Sequence, residues 1–146
     1  MAIRSGSSTR YDVKYHFVWI PKYRKRVLTT VRRAYLLHLL SRVAAEWDLA
    51  IVEVEVMEDH VHLFVEAPPR LSPAGIMDVV KSITAREMFA KFPELRRVMW
   101  RGKLWADGYY VATVGDKVTA EAVRRYIRTQ RTHELPLHDG PAQDAP

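Results

Sequence analysis

Between Ile51 and Ala67 apolar and polar residues alternate with period two on both sides of Glu58-Asp59, the pattern of two β-strands joined by a tight turn. In the first half Val52, Val54 and Val56 share one face, and Glu53 and Glu55 the other. In the second half Val61, Leu63 and Val65 share one face, while His60, His62, Phe64 and Glu66 share the opposite one. A pleated strand therefore points His60 and His62 the same way, roughly 6.5–7 Å apart along the backbone. Two imidazoles so placed are able to meet one metal ion.

The same pattern reading covers the rest of the chain. Tyr11–Ile20 predicts a strand with Val13, Tyr15, Phe17 and Trp19 on one face and Lys14 and His16 on the other, stopped by Pro21. Leu36, Leu40, Val43 and Trp47 recur at helical spacing, which predicts a helix over Val31–Trp47 capped by Thr30. Pro68-Pro69 closes the strand pair. Ser72-Pro73 then supplies a cap and a proline at the first helical position, and Ile76, Val79 or Val80, and Ile83 carry the stripe of a second helix that must end before Pro93. A basic loop over Arg96–Lys103 leads to a fourth strand over Leu104–Val114, bent at Asp107-Gly108. Gly115-Asp116 makes a turn, and Thr119–His133 reads as a last helix. Residues 1–10 read as a flexible arm and 135–146, with three prolines, as a disordered tail, leaving one domain over 11–134.

The order β-α-β-β-α-β plus a terminal helix predicts an α+β fold, the ferredoxin-like split βαβ. Two helices would cover one face of a four-stranded antiparallel sheet. The other face would carry His16, His60 and His62.

Composition narrows the chemistry. The chain has no cysteine, which excludes disulfides and thiolate metal sites. No apolar run approaches the roughly 20 residues of a membrane span, and the N-terminus lacks the apolar stretch of a signal peptide, so a cytoplasmic protein is expected with no membrane partner. The net charge is +6, with basic clusters in Lys22–Arg33, Arg96–Lys103 and Arg124–Arg131, a surface suited to nucleic acid. On the last helix Tyr126 and Gln130 stand four apart on one face, and His133 falls on the same stripe. A tyrosine and an amide one turn apart can lie over a histidine pair together, with the Gln130 carbonyl oxygen as a third ligand.

Four blocks of sequence carry a family resemblance. They are Tyr15-His-Phe-Val-Trp-Ile-Pro-Lys-Tyr-Arg-Lys25, Met57-Glu-Asp-His-Val-His-Leu-Phe64, Leu104-Trp-Ala-Asp-Gly-Tyr-Tyr-Val-Ala-Thr-Val-Gly115 and Tyr126-Ile-Arg-Thr-Gln130. Together and in this order the chain resembles the single-tyrosine HUH transposases of the insertion-sequence 200/605 group, over about Tyr11 to Glu134. The resemblance implies that Tyr126 is a nucleophile cleaving and rejoining single-stranded DNA through a 5′-phosphotyrosine. It makes His60, His62 and Gln130 the ligands of a divalent metal, Mg2+ or Mn2+. It also implies subterminal DNA hairpins as substrate and a homodimer whose active sites are shared between subunits.

Lys22, Arg24, Lys25 and Arg26 are candidates to follow phosphates, and Tyr23, Trp100 and Trp105 to stack on bases. His16 reads either as a supporting group on the active face or as a packed histidine. Glu58, Asp59 and Glu66 read as alternative ligands or as hydrogen-bond partners of the histidines. A nickase serving replication or palindromic repeats would share the histidine pair and the tyrosine. A non-catalytic nucleic-acid-binding module of the same fold would form no covalent adduct.

Overall fold

The structure, a computed structural model, describes residues 3–5, 10–99, 102–113 and 125–128. Its central layer is a four-stranded antiparallel sheet in the order β4-β5-β3-β6, formed by β3 (Lys14–Trp19), β4 (Ala50–Met57), β5 (His60–Glu66) and β6 (Tyr110–Ala112). Helices α1 (Thr30–Glu46) and α2 (Pro73–Lys91) are the crossovers, and the short α3 (Pro93–Val98) follows α2. This is the expected α+β arrangement.

The two central strands sort their side chains by parity. Phe17 and Trp19 of β3 and Val61, Leu63 and Val65 of β5 are buried in one core with Leu36, Leu39, Leu40 and Val43 of α1 and Ile76, Met77, Val80, Met88 and Phe89 of α2. His16, Val18, His62 and Phe64 alternate with them and pair across the ladder as His16 with Phe64 and Val18 with His62. The histidine-bearing side is thus opposite the apolar core, as the alternation dictates.

Several boundaries differ from the expectations, each for a physical reason. The first strand breaks in two: Arg10–Tyr11 (β2) pairs antiparallel with Arg4–Ser5 (β1), and β3 starts only at Lys14. Residues 4–5 lie within the expected flexible arm, and Arg4 donates to the Asp48 carboxylate at 2.9 Å and to the Glu66 carbonyl at 3.2 Å. In β4 a register shift between Ile51 and Glu53 places Ile51 with Val54 against the core in place of the expected Val52.

Thr29 rather than Thr30 occupies the cap of α1, and Trp47 lies beyond the helix, 41% exposed. The cap of α2 is as expected, with the Ser72 hydroxyl accepting from the Gly75 amide at 2.9 Å and Pro73 at the helix start. Residues 96–98 belong to α3, which Pro93 opens, so the basic loop is shorter than its composition suggested. The fourth strand is confined to Tyr110–Ala112, because Leu104, Trp105 and Ala106 turn into the protein; Trp105 bridges Pro21, and its indole donates to the Thr84 hydroxyl at 3.0 Å. Of the expected last helix, residues 125–128 are helical. The expected turn at Gly115-Asp116, Trp100, Gln130, His133 and the expected tail lie outside the described residues.

Candidate active site

The hairpin between β4 and β5 closes with only Glu58 and Asp59, since Met57 pairs with His60. That tight turn fixes the register and hence the side on which the imidazoles emerge. Asp59 faces the ring of the residue that follows it: its Oδ1 is 2.9 Å from His60 Nδ1. Its other oxygen, Oδ2, accepts from Arg24 Nε at 3.1 Å. One carboxylate therefore joins the basic loop to the histidine strand.

The loop that delivers Arg24 is conformationally unusual. Tyr23 (φ 61°) and Arg24 (φ 53°) both lie in the left-handed region within a 3₁₀ turn over Lys22–Arg24. Non-glycine residues held there cost roughly 1–3 kcal/mol each, and such strain persists only where the surroundings over-determine it. Here the Arg24 amide donates to the Pro21 carbonyl at 2.8 Å, the Lys22 amide to the Leu104 carbonyl at 2.9 Å and the Leu28 amide to the Glu58 carbonyl at 3.1 Å. Arg26 Nε also donates to the Glu58 carboxylate at 3.3 Å. The basic loop and the hairpin turn are stitched together at two consecutive acidic residues.

His62 is supported differently. His16, only 2% exposed, lies flat on Phe64 with ring centroids 3.8 Å apart, and its Nδ1 is 3.3 Å from His62 Nε2. One of these nitrogens must carry the proton, so the Nε2 side of His62 is engaged and its Nδ1 remains. Burial pushes the His62 imidazole below its ordinary range, with His60 acting the same way, against the upward pull of Glu53 and Glu55. A neutral imidazole is the form that ligates a metal.

Tyr126 sits on the helical segment 125–128. Ile127 of that segment packs with Ile20 and Ala106 in a small second core, Tyr126 lies against it, and the Tyr126 ring is 6.2 Å from that of Tyr110. A cleft of about 320 Å³ is lined by Arg24, Asp59, His60, Ile127 and Arg128. The segment that carries the tyrosine and the strand that carries His60 thus border one space within a single chain.

The donor set suits a divalent cation in part. Each histidine has a partner on one ring nitrogen and leaves the other, which is how ligating imidazoles are usually oriented. Among the described residues no three His, Cys, Asp or Glu side chains group to hold a metal ion. The third candidate, Gln130, lies outside the described residues.

The basic loop changes its role once seen in three dimensions. Lys22 (9% exposed), Tyr23 (8%) and Lys25 (9%) are buried, and the Lys22 ammonium sits 5.1 Å over the Tyr23 ring. Tyr23 is therefore packed into the fold. The same holds for Trp105, packed edge-on against Trp19 at 5.8 Å. Arg26, with 72% of its side chain exposed, and the partly exposed Arg24 remain as the loop's outward cations.

Residues 9–130 match the family described as IS200-like transposases. The chain belongs to that family. An IS200-like transposase is a DNA-processing enzyme, and the relatives agree along nearly the whole length. The chain is 33% identical over 134 residues to the ISDra2 transposase TnpA of Deinococcus radiodurans, covering 92% of this chain and 95% of that protein. It is 32% identical over 127 residues to the transposase for insertion sequence element IS200 of Salmonella typhimurium, covering 87% of this chain and 82% of that protein.

Among solved structures it is similar to a protein assigned as a transposase from Deinococcus radiodurans R1, with a TM-score of 0.80 and 35% identity over 87% of this chain and 97% of that one. It shares its fold with the REP-associated tyrosine transposase bound to a REP hairpin, at a TM-score of 0.52 and 13% identity over 91% of this chain and 74% of that one. No helix among the described residues of this family member is long and apolar enough to cross a membrane.

Proposed function

We propose that this transposase cleaves and rejoins single-stranded DNA through a covalent 5′-phosphotyrosine on Tyr126. The observation that carries the reading is the shared cleft, where the segment bearing Tyr126 borders His60 through Ile127 and Arg128. The Tyr126 oxygen attacks the scissile phosphorus in line, a Tyr–O–P bond forms and the P–O3′ bond breaks. The tyrosine proton is lost to solvent and the departing oxygen gains one, leaving a free 3′-hydroxyl. Because the reaction exchanges one phosphoester for another, a second 3′-hydroxyl can reverse it on a new strand without an external energy source.

His60 and His62, with the amide oxygen of Gln130, would hold Mg2+ or Mn2+. That ion, when bound, polarises the phosphate oxygens and orients the phosphorus. The chain's own residues do the rest. Asp59 and His16 hold the two imidazoles, and Arg24 and Arg128 give the cleft a positive border for the phosphate. Arg26 is placed to follow the backbone further out. A fold neighbour holds a REP hairpin, which supports single-stranded DNA with a subterminal hairpin as the substrate here. The family resemblance further suggests a homodimer with shared sites.

The test incubates the protein with labelled single-stranded DNA carrying the element end and its hairpin, plus Mn2+. A covalent complex on a denaturing gel, absent in Tyr126→Phe, is expected. An adduct that persists in Tyr126→Phe overturns the assignment. Hairpin binding with no adduct in the unmodified protein would instead indicate a non-catalytic module.

A further inference from the structure

We infer that Arg24 and Asp59 are positioning residues that select which nitrogen of His60 is offered to the metal; the inference rests on the metal site proposed above. Asp59 Oδ1 lies 2.9 Å from His60 Nδ1, and Oδ2 lies 3.1 Å from Arg24 Nε. An ionised carboxylate only accepts hydrogen bonds, so the proton between Asp59 and His60 belongs to the imidazole Nδ1. The lone pair is then on Nε2, on the opposite side of the ring from the carboxylate.

Arg24 turns this pair into a fixed object. Asp59 follows directly on Glu58 in a two-residue turn, and its side chain, 17% exposed, would otherwise sample several rotamers. The guanidinium occupies the second carboxylate oxygen and holds the first against His60. Its own direction is set by the left-handed backbone of Tyr23 and Arg24, which the hydrogen bonds to Pro21 and Leu104 maintain. The strained turn, the arginine, the aspartate and the histidine form one chain of contacts ending at the ligand atom. No local sequence motif announces it, because its two halves are 35 positions apart.

The full-length protein, labelled with nitrogen-15 and freed of metal by chelation, provides the readout. Long-range proton–nitrogen correlation at pH about 8, where imidazoles are neutral, is expected to show His60 protonated on Nδ1 alone. Its signal is assigned by loss in His60→Ala. Asp59→Ala is expected to release the ring into a mixture of tautomers and to weaken Mn2+ binding, followed by electron paramagnetic resonance, about 10–100-fold. Arg24→Gln is expected to fall between that variant and the unmodified protein in both measurements, and Arg24→Lys to recover part of the affinity.

Should Asp59→Ala fail to fold, Asp59→Asn keeps an accepting oxygen and is expected to retain the tautomer while losing affinity. An Nε2-protonated His60 in the unmodified protein, or a tautomer indifferent to Asp59→Ala, overturns the inference. So does an Arg24→Gln variant identical to the unmodified protein in both readouts. His60→Ala with undiminished Mn2+ affinity would overturn the metal site itself; the tautomer is read without metal, so the two failures are distinct.

Discussion

On one side of β3 and β5, Phe17, Trp19, Val61, Leu63 and Val65 are buried beneath the helices; on the other, His16, Phe64 and Glu66 are buried almost as deeply. The two sides are built from alternate residues of the same strands, and what specifies them differs. On the apolar side any well-filled volume serves, since dispersion and water exclusion have no direction. On the polar side each group needs a partner at a set distance: His16 against His62, Asp59 between His60 and Arg24. A substitution on the first side should therefore cost stability, and one on the second should cost chemistry.

Leu63→Ala is the sharpest test of the apolar side. It removes a side chain 2% exposed from the core and is expected to cost about 2–5 kcal/mol in chemical denaturation. A loss below about 1 kcal/mol would mean that this face is less tightly packed than the contacts indicate. His62→Ala is expected to abolish Mn2+ binding with a smaller stability loss at neutral pH.

Its pH dependence has a definite sign. Burial lowers the His62 pKa below 6.5, so the unfolded chain binds the proton more readily than the folded one. The contribution of His62 to stability is full above pH 6.5 and declines as pH falls below it, through the lowered folded value. His62→Ala should flatten the stability profile in that acidic window. A profile unchanged by the substitution would show that the imidazole is solvated. The smallest expected effect lies away from both faces: Ser72→Ala removes the cap of α2 and should cost about 1 kcal/mol without altering Mn2+ binding or DNA cleavage.

The features that repeat along the chain were legible from it. His60 and His62 share a face because strands have period two, and Ser72-Pro73 starts a helix by rules confined to a few neighbouring residues. Features decided by distant contacts were not legible. The shift in β4 that exchanges Val52 for Ile51 leaves no mark in a run of alternating valines and glutamates. Lys22, Tyr23 and Lys25 look like an exposed basic run, and only the turn that folds them inward shows that they are buried. The link from Arg24 to Asp59 joins residues that are neighbours only after the sheet and the loop meet. Gln130 remains a proposal from spacing and resemblance.

The two-residue connection at Glu58-Asp59 bears on how such a gene can drift. A codon gained between Met57 and Glu58 alters none of the residues named in the chemistry. Were β5 to slip by one position against β4 to keep the two-residue turn, every side chain would turn to the opposite side. Both imidazoles would then face the helices, and Val61 and Leu63 would face the cleft. At this turn an in-frame insertion that shifts the register would act as a null allele, whereas many substitutions at Glu58 would pass nearly silent.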